Sequence, residues 1–494
     1  MSQQTVVLIT LITYKLALVG IGLWAARRVR DEDDFFLGGR NVGAWVSGLS
    51  YAASTSSAWV LLGFSGFVYV NGVSALWMMP GIWMGYVVMW TWVGRAVRTQ
   101  SAEHGHVTLT DYLTGGLGRA DPMARKISLA ATLMIILCFI FYIAAQFDAA
   151  AKAFVDQFDL SMLEAVLIGA VIILLYSLLG GFWAVSVTDT LQGAVMLLVA
   201  IGLPLTAVMA AGGVDKVFAT LEWTMPPAYL NMTGAMGPAI FIGFLLGVWG
   251  IGASALGQPH LISRLMAIRD DKARQQGYAI AMVWAVLVYV GMAALALAGR
   301  ALVSGGAIAG PSGGEAIFYR VASEVLSPVL AGIVIAATLS AVMSTVDSIL
   351  LAASAAVAHD LGLNARHPAR AVMISRVTMS AIAIFAVILT LTLPDTIFNR
   401  VLFAWAALGA AFGPVVIARV ARWTPSGRRI LLSILLGFFV TVGFYTLGTM
   451  PVTGAGGITD FLVGLAKLPG DPFERVAPWI LPLAILYTGR NQPN

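Results

Sequence analysis

The chain has 494 residues, of which 59% are hydrophobic and only 11% are charged. A soluble domain carries roughly 25% charged residues, so this composition excludes a water-soluble protein. No polar stretch is long enough to form a soluble domain, and we expect one membrane domain over residues 1–494. The net charge of +5 reflects membrane topology rather than nucleic-acid binding.

Transmembrane helices need about 20 mostly apolar residues. The sequence predicts an all-α integral membrane protein with about 13 such helices, of which the last is short. The first run has no basic leader and no small-residue cleavage site, so we interpret it as a retained helix. The runs are 6–26, 43–69, 75–97, 125–154, 161–179, 184–211, 237–256, 274–303, 328–358, 370–393, 397–420, 429–448 and 474–488.

Basic residues are unevenly distributed over the connecting loops. With the N-terminus outside, 21 of the 29 Lys and Arg residues lie in inside loops and six in outside loops, while Lys15 and Lys152 lie within helices. This assignment puts Arg264 in an inside loop and Arg400 and Arg475 in outside loops. Because Lys and Arg accumulate in cytoplasmic loops, the bias predicts an odd helix count with the N-terminus outside and the C-terminus inside.

Two predicted helices contain residues that interrupt helical structure. The second has a run of small and hydroxyl residues at 50–59, and the seventh has glycines at 247–252 followed by Gly257-Gln258-Pro259. Unwound backbone at membrane depth must be covered by protein or by a water-filled cavity. Paired breaks in two halves of a chain are typical of inverted-repeat transporters, although close packing through small residues would give the same composition.

Ionisable side chains within membrane helices are costly and usually functional. Asp148, Asp189 and Asp347 fall within predicted helices. Asp189 either favours the N-terminal dipole of its helix or lies on an ion path, and the sequence leaves both alternatives open. Asp347 could bond a neighbouring hydroxyl, and Asp148 is expected to pair with Lys152, four residues further on.

Oxygen ligands for a sodium ion are available in two segments. Unwinding of residues 53–56 would free carbonyl groups, and a facing helix bearing Ser344 and Thr345 would supply hydroxyls. A Ser-Thr pair alone is a weak signal, because such side chains commonly bond their own helix. The pattern is therefore compatible with a sodium site of about five oxygens, which is the ligand atom that hard cations prefer.

Aromatic residues beside the breaks could line a cavity around a small, partly apolar solute. Trp59, Tyr142 and Trp249 are placed in this way. The single cysteine, Cys138, excludes a disulfide within the chain. The sequence contains no metal-ligand spacing, phosphate-binding loop or nucleophile motif, so we do not expect an enzyme.

The sequence resembles the sodium/solute symporter family over nearly its whole length, and within that family the bacterial sodium/proline symporters. The motifs that carry the resemblance are DFFLGGR at 34–40, GGFWAV at 180–185 with Thr188-Asp189, GQPH at 257–260, AVMST at 341–345, AWA at 404–406 and AAFGPVV at 410–416.

The resemblance implies an inverted five-helix repeat like that of the leucine transporter, over about residues 43–420, with peripheral helices in 1–42 and 421–494. It implies sodium-coupled symport of a small organic solute across a bacterial cytoplasmic membrane. L-Proline is the first expectation, and another amino acid, a monocarboxylate or pantothenate is the alternative. It implies no cofactor, no nucleic acid and no obligate protein partner. Proton coupling remains an alternative because Asp189 and Asp347 could titrate.

The resemblance also assigns site residues. The sodium ligands would be the carbonyls of Ala53, Ser56 and Ala341 and the hydroxyls of Ser344 and Thr345, and Ser57 would also take part in sodium binding. Asp189 would lie on the ion path, where we also expect Asp347. The solute would contact Trp59, Tyr142, Trp249, Gln258 and Pro259. Two departures from the proline symporters are Thr55, where they have an aspartate, and Ala253-Ser254-Ala255, where they have a tyrosine. We hypothesise that Asp347 compensates for the missing charge at Thr55.

Overall fold

The computed structural model describes residues 3–26, 36–117, 121–158, 160–178, 181–363, 370–393, 395–452 and 457–490. These residues form helices and connecting turns, and their β-structure is limited to an isolated bridge between Val42 and Ile268. That bridge joins the segment before the first broken helix to the segment after the second one.

The α-helices are numbered here in chain order. They are α1 Gln3–Ala26, α2 Ala44–Ala58, α3 Ser65–Asn71, α4 Met78–Val88, α5 Gly94–His104, α6 Leu109–Thr114, α7 Pro122–Phe158, α8 Met162–Ser177, α9 Phe182–Ala210, α10 Val214–Thr224, α11 Pro238–Ala253, α12 Pro259–Met266, α13 Asp271–Ser304, α14 Ile317–Val325, α15 Pro328–Ala355, α16 Ala371–Thr392, α17 Ile397–Val420, α18 Gly427–Thr449, α19 Ile458–Ala466, α20 Pro472–Arg475 and α21 Ala477–Thr488.

Short segments of other helical types lie between these helices. Three π-helical turns, Trp59–Phe64, Met89–Val93 and Ala356–Asp360, extend or join α-helices. A 3-10 turn, Ser254–Gly257, follows α11. Such turns frequently mark functional sites, because they carry an irregular backbone within an otherwise regular helix.

Nine helical stretches of the described residues are long and apolar enough to cross a membrane. This count differs from the predicted thirteen for identifiable reasons. The predicted helices 43–69 and 75–97 belong to one helical run, Ala44–His104, and α1 is not among the nine. The run predicted at 161–179 contains a shorter apolar helix, Met162–Leu174. The run predicted at 474–488 is the 12-residue α21.

The two predicted interruptions are present in the structure. Ser57, near the end of α2, has φ +50° and ψ −172°, and therefore leaves the helical conformation. In the second break, the chain passes from the 3-10 turn into an extended Gln258 before α12 begins at Pro259. A proline suits the first position of a helix because its missing N–H would have no partner there.

Glycines allow α11, the first part of the second broken helix, to pack closely against α4. A Cβ atom at Gly252 on α11 would lie 1.9 Å from the carbonyl oxygen of Gly81 on α4, and one at Gly85 would lie 2.6 Å from the Gly252 oxygen. The backbones of α4 and α11 therefore touch directly. Small residues at helix contacts are typical of membrane proteins.

Several arginines that the charge count assigned to loops are buried. Arg264 lies within α12 with 4% of its surface exposed, and Arg400 and Arg475 are each 3% exposed. The assignment to loops was wrong for Arg264, because a helix resumes directly after the second break. A charge inside this region needs partners, and those of Arg264 define the candidate site.

Candidate functional site

The break in α2 is stabilised by side chains that replace helical hydrogen bonds. The backbone N–H of Trp59 donates to Ser57 Oγ at 3.0 Å, and that of Ala58 donates to Gln146 Oε1 at 3.2 Å. Gln146 lies on α7 and is fully buried. Ser57 therefore acts as a local cap for the helix that follows the break. Gln146 was not identified from the sequence, although it is a buried amide beside the predicted break.

Five predicted oxygen-bearing residues lie on two helices that pack against each other, α2 and α15. We call them the oxygen cluster: Ala53, Ser56, Ala341, Ser344 and Thr345. All five are 0% exposed.

The hydroxyls of the oxygen cluster differ in their partners. Ser344 Oγ donates to the carbonyl of Ala341 at 3.1 Å, within its own helix. Thr345 Oγ1 has no hydrogen-bond partner among the described residues, although it is buried. A buried polar group without a partner costs about 1–3 kcal/mol. A cation held by hydroxyl and carbonyl oxygens would remove that cost.

A buried ion pair lies beside the oxygen cluster. Arg264 Nη2 on α12 is 2.7 Å from Asp189 Oδ2 on α9, and Asp189 is 0% exposed. Arg264 also donates to Ser50 Oγ at 3.0 Å and to Ser348 Oγ at 2.5 Å. Its remaining bond is to the carbonyl oxygen of His260 at 2.8 Å. We call Ser50, Ser54, Asp189, Arg264 and Ser348 the Arg264 network.

The Arg264 network connects directly to the oxygen cluster. Ser54 Oγ donates to Asp189 Oδ2 at 3.2 Å and lies 3.1 Å from Ser348 Oγ. Ser348 Oγ donates in turn to the carbonyl oxygen of Ser344 at 2.5 Å. The network thus joins α2, α9, α12 and α15. A movement of Ser344 on ion binding would therefore change the hydrogen bonds around the Arg264–Asp189 pair.

A small cavity adjoins the Arg264 network. Its lining includes Arg264, Ser348, Pro259 and Thr108, and its volume is about 30 Å³. Pro259 was expected to contact the solute in the central cavity, and the structure places it in the wall of this second cavity. None of the oxygen-cluster residues lines the second cavity.

A central cavity of about 30 Å³ lies beside the α2 break. That volume suits one or two water molecules rather than an amino acid. Its wall combines aromatic rings with small groups at Thr55, Gly85, Gly252 and Ala255. The aromatic residues that line it are Tyr51, Trp59, Tyr86, Tyr142, Tyr289 and Trp405.

The structure brings some predicted solute contacts together and not others. Trp59 and Tyr142 line the central cavity. Gln258 is buried and donates its amide N–H groups to the carbonyls of Ser254 at 3.1 Å and Trp405 at 2.9 Å. Gln258 therefore holds the second break against α17.

Trp249 does not line the cavity, which corrects the expectation from the sequence. Its side chain is 41% exposed, and its Nε1–H donates to the carbonyl of Trp77 at 3.0 Å. The helical rotation of α11 directs Gly252, rather than Trp249, toward the cavity. Trp405 supplies the missing aromatic wall, and its Nε1–H bonds the carbonyl of Ile251 at 2.8 Å.

On the far side of Trp59, aromatic rings and an ion pair close the structure. Phe398, near the start of α17, stacks on Trp59 with ring centres 5.7 Å apart. Its backbone N–H donates to Glu315 Oε1 at 2.9 Å, and Glu315 Oε2 pairs with Lys152 at 3.1 Å. Lys152 also pairs with Asp148 at 2.9 Å, as expected from their spacing. We call Asp148, Lys152, Glu315 and Phe398 the Lys152 cluster.

Asp347 and Thr55 face different neighbours. Asp347 is 1% exposed and accepts a hydrogen bond from Ser177 at the end of α8. Thr55 lines the central cavity and donates to the carbonyl of Tyr51 at 2.7 Å. The two side chains thus have different hydrogen-bond partners, and compensation of the missing charge at Thr55 by Asp347 stays a hypothesis.

Comparison with known proteins identifies the chain's relatives. The model of the sodium:solute symporter family matches residues 35–427. The sodium/proline symporter of Escherichia coli (strain K12) is 31% identical over 493 residues, which are 96% of each protein. The osmoregulated proline transporter of Bacillus subtilis (strain 168) is 30% identical over 456 residues, 91% of this chain and 90% of that protein.

Solved structures show similar folds. A sodium-coupled sialic acid symporter in a substrate-bound outward-open state superposes with a TM-score of 0.75 at 15% identity, over 97% of each chain. A closed nucleobase-cation-symport-1 family transporter with bromovinylhydantoin bound gives a TM-score of 0.54 at 12% identity, over 93% of this chain and 95% of that one. At these identities the likeness establishes the fold and leaves the solute open.

Proposed function

The chain belongs to the sodium:solute symporter family, and we propose from this premise that its solute is L-proline. As a member of this family it is a multi-pass membrane protein that couples solute transport to sodium, and it is not an enzyme. The observation that carries the coupling proposal is the oxygen cluster between α2 and α15, with a Thr345 hydroxyl that has no partner among the described residues.

Sodium would bind at the oxygen cluster. The proposed ligands are the carbonyls of Ala53, Ser56 and Ala341 and the hydroxyls of Ser344 and Thr345. The ion would join the broken α2 to the continuous α15, and would order the carbonyls next to Ser57. An ion that binds one conformation more tightly than another shifts the equilibrium between them. This differential affinity is the proposed source of coupling.

Solute would bind in the central cavity after it widens. Its aromatic wall suits a small solute with an apolar ring and one polar end, because solute sites are mostly apolar with few polar groups. The proline transporters among the relatives support L-proline. Thr55 lies in the cavity wall, where the family resemblance places an aspartate in proline symporters, so another amino acid, a monocarboxylate or pantothenate is the alternative.

Transport would proceed by opening the two closures in turn. The Lys152 cluster would open on the outer side to admit sodium and solute, and the Arg264 network would open on the inner side to release them. Sodium would then leave past Asp189, with Asp347 nearby. The membrane potential adds about 2.3 kcal/mol per charge per 100 mV to the driving force.

We propose the inverted-repeat architecture and orientation together. The breaks in α2 and at α11–α12 would be equivalent positions of two five-helix repeats within about residues 43–420. The N-terminus would lie outside and the C-terminus inside a bacterial cytoplasmic membrane. The bacterial relatives support a bacterial membrane, and the loop charges support the orientation.

Uptake into proteoliposomes tests the function. Radiolabelled L-proline would be supplied with an inward sodium gradient, an inward proton gradient, or neither. We expect uptake only with sodium. Thr345→Ala should raise the sodium concentration for half-maximal uptake by about tenfold or more, because it removes one charge-assisted oxygen contact.

Thr338→Ala is the matched control. Thr338 lies on the same helix and is equally buried, but its hydroxyl bonds the carbonyl of Val334 within the helix at 3.3 Å. The sodium concentration for half-maximal uptake should be unchanged in this variant. If sodium still stabilises the protein against thermal unfolding but proline is not taken up, proline is rejected as the solute and sodium coupling is retained. Proton-driven uptake insensitive to Thr345→Ala would reject the sodium site.

A further inference from the structure

A cluster of potential metal ligands lies away from the sodium and solute sites. Asp111 is on the short helix α6, and His359 and Asp360 are on the π-helical turn Ala356–Asp360 that ends α15. One ligand atom from each of the three residues lies within 4.8 Å of the others. We call these residues the Asp111 cluster. It joins two segments that are 248 residues apart in the sequence.

Hydrogen bonds fix the geometry of the Asp111 cluster. Asp111 Oδ2 accepts from the backbone N–H of Val107 at 2.9 Å and lies 3.0 Å from His359 Nε2. Thr108 Oγ1 donates to Asp360 Oδ1 at 2.7 Å. The other carboxylate oxygen of Asp360 is buried and has no partner within the described residues.

We propose that the Asp111 cluster binds one divalent transition-metal ion through His359 and the two carboxylates. Zinc is bound by histidine nitrogen at about 2.0–2.1 Å and by carboxylate oxygen at about 2.0–2.2 Å, so neighbouring ligand atoms of a tetrahedral ion lie about 3.3–3.5 Å apart. Asp111 Oδ2 and His359 Nε2 are 3.0 Å apart, which is a direct hydrogen-bond distance, so an ion would replace that bond with only a small movement of the two atoms.

The charge and the ligand types select the metal class. Two carboxylates supply negative charge, and imidazole nitrogen favours zinc, cobalt or nickel over magnesium or calcium.

Water can reach the Asp111 cluster, since all three residues are only partly buried. Thr108, which bonds Asp360, also lines the second cavity together with Arg264 and Ser348. A metal ion here would tie α6 to the end of α15, the helix that carries Ser344 and Thr345. It would thereby hold the inner ends of these segments together.

Metal titration of the purified full-length chain tests this site. A purification tag without histidine is needed. Titration with Co²⁺ should give visible ligand-field absorption that saturates at one ion per chain and disappears on addition of Zn²⁺. His359→Ala should weaken Co²⁺ and Zn²⁺ binding by about tenfold or more, because even outer-shell partners of metal ligands contribute that much.

Two further variants separate ligation from folding. Asp360→Asn keeps an acceptor for Thr108 and removes one anionic ligand, so it should weaken metal binding without lowering thermal stability. His104→Ala removes an exposed histidine that bonds Gln100 in its own helix, and it should leave the Co²⁺ spectrum unchanged. Equal metal affinity in His359→Ala and the natural chain, or loss of the spectrum in His104→Ala alone, would overturn the proposal.

Discussion

At the scale of single residues, Arg264 is buried, and each of its three guanidinium nitrogens donates at least one hydrogen bond. Asp189, Ser50, Ser348 and the His260 carbonyl accept its hydrogen bonds. Desolvating two charges is expensive, and the pair is tolerated because each charge has several polar partners. If one partner is removed, the desolvation of the remaining charge is no longer offset. The pair is therefore suited to a closure that opens only when its surroundings rearrange.

Removing the Arg264 charge should destabilise the protein strongly. Arg264→Gln leaves Asp189 buried without its counter-charge, and we expect a loss of about 3–5 kcal/mol in unfolding free energy. The double variant Arg264→Gln/Asp189→Asn should lose less than the sum of the single variants. Chemical unfolding of the protein in detergent measures both quantities.

Arg269→Gln is the control for this cycle. Arg269 forms an ion pair with Asp270 at 2.8 Å, and both side chains are about half exposed. Exposed pairs contribute at most about 1 kcal/mol. Additive effects of Arg264→Gln and Asp189→Asn, or a loss no larger than in Arg269→Gln, would contradict the account of a coupled buried pair.

Part of this residue-level information could be predicted from the sequence. Ser57, in a run of hydroxyl and small residues, was predictable as a break because such residues favour irregular backbone. Arg264 was misassigned because a charge after Gly257-Gln258-Pro259 resembles the start of a loop. Trp249 was misassigned because a broken helix gives no reference for the rotation of α11. Trp405 carried no signal beyond its place in a family motif.

At the scale of helices, direct contact between the backbones of α4 and α11 fixes the position of the second broken helix. Gly81 and Gly85 on α4 face Gly252 on α11. Both sides of this contact lie in the wall of the central cavity, where Gly85 and Gly252 appear together. The separation of these two helices therefore affects the width of the cavity.

A methyl group at Gly252 should force the two helices apart. Its Cβ would lie 1.9 Å from the Gly81 carbonyl oxygen, which belongs to the backbone and cannot rotate away. Overpacking of this kind costs about 1–3 kcal/mol or more. Gly252→Ala should therefore lower the thermal unfolding temperature and slow solute uptake.

Gly202→Ala is the matched control, because Gly202 lies within α9 and a Cβ there meets no atom within 4 Å. It should be neutral or slightly stabilising, since alanine favours helices over glycine. An unfolding temperature of Gly252→Ala equal to that of Gly202→Ala would show that the helices can separate without cost.

The sequence predicted the helices better than their contacts. Hydropathy located most of the long apolar runs, and composition located both breaks. The predicted division between 43–69 and 75–97 falls where the structure has a 3-10 turn, Gly72–Trp77, which lies within the run Ala44–His104. Which glycines touch another backbone depends on helix crossing, which no local pattern encodes.

At the scale of the whole molecule, the central cavity is closed on the side of Phe398. The ring of Phe398 stacks on Trp59, and Glu315 and Lys152 hold its backbone in place. Access from that side therefore requires the segment around Glu315 to move away from α7 and α17. The Lys152 side chain is 38% exposed, so this closure is weaker than the buried Arg264 pair.

Weakening the closure at the Lys152 cluster should raise access to the central cavity. We expect Glu315→Gln to increase, by up to about fivefold, the rate at which a membrane-impermeant maleimide labels Thr55→Cys, because an ion pair reached by solvent, here through the 38% exposed Lys152 side chain, contributes about 0.2–1 kcal/mol. Cys138 is buried and should give little background. The measurement uses proteoliposomes with reagent added outside.

Glu324→Gln removes an exposed charge that is 3.6 Å from Arg320, and it serves as the control. The labelling rate should not change in this variant. Slower labelling in Glu315→Gln than in the starting chain would argue that the Lys152 cluster does not hold the cavity closed.

Burial differs greatly between helices of the same hydropathy. The most apolar stretch of α17 has a mean hydropathy of 2.1, and 94% of that stretch is buried within the protein. The most apolar stretch of the adjacent α18 has a mean hydropathy of 2.2, and only 33% of it is buried. Selection therefore acts on the two helices in different ways. Along α18 a lineage can exchange one apolar residue for another with little consequence, while α17 accepts few exchanges. A record of accumulated neutral substitutions would show which helices face lipid without any structure being solved.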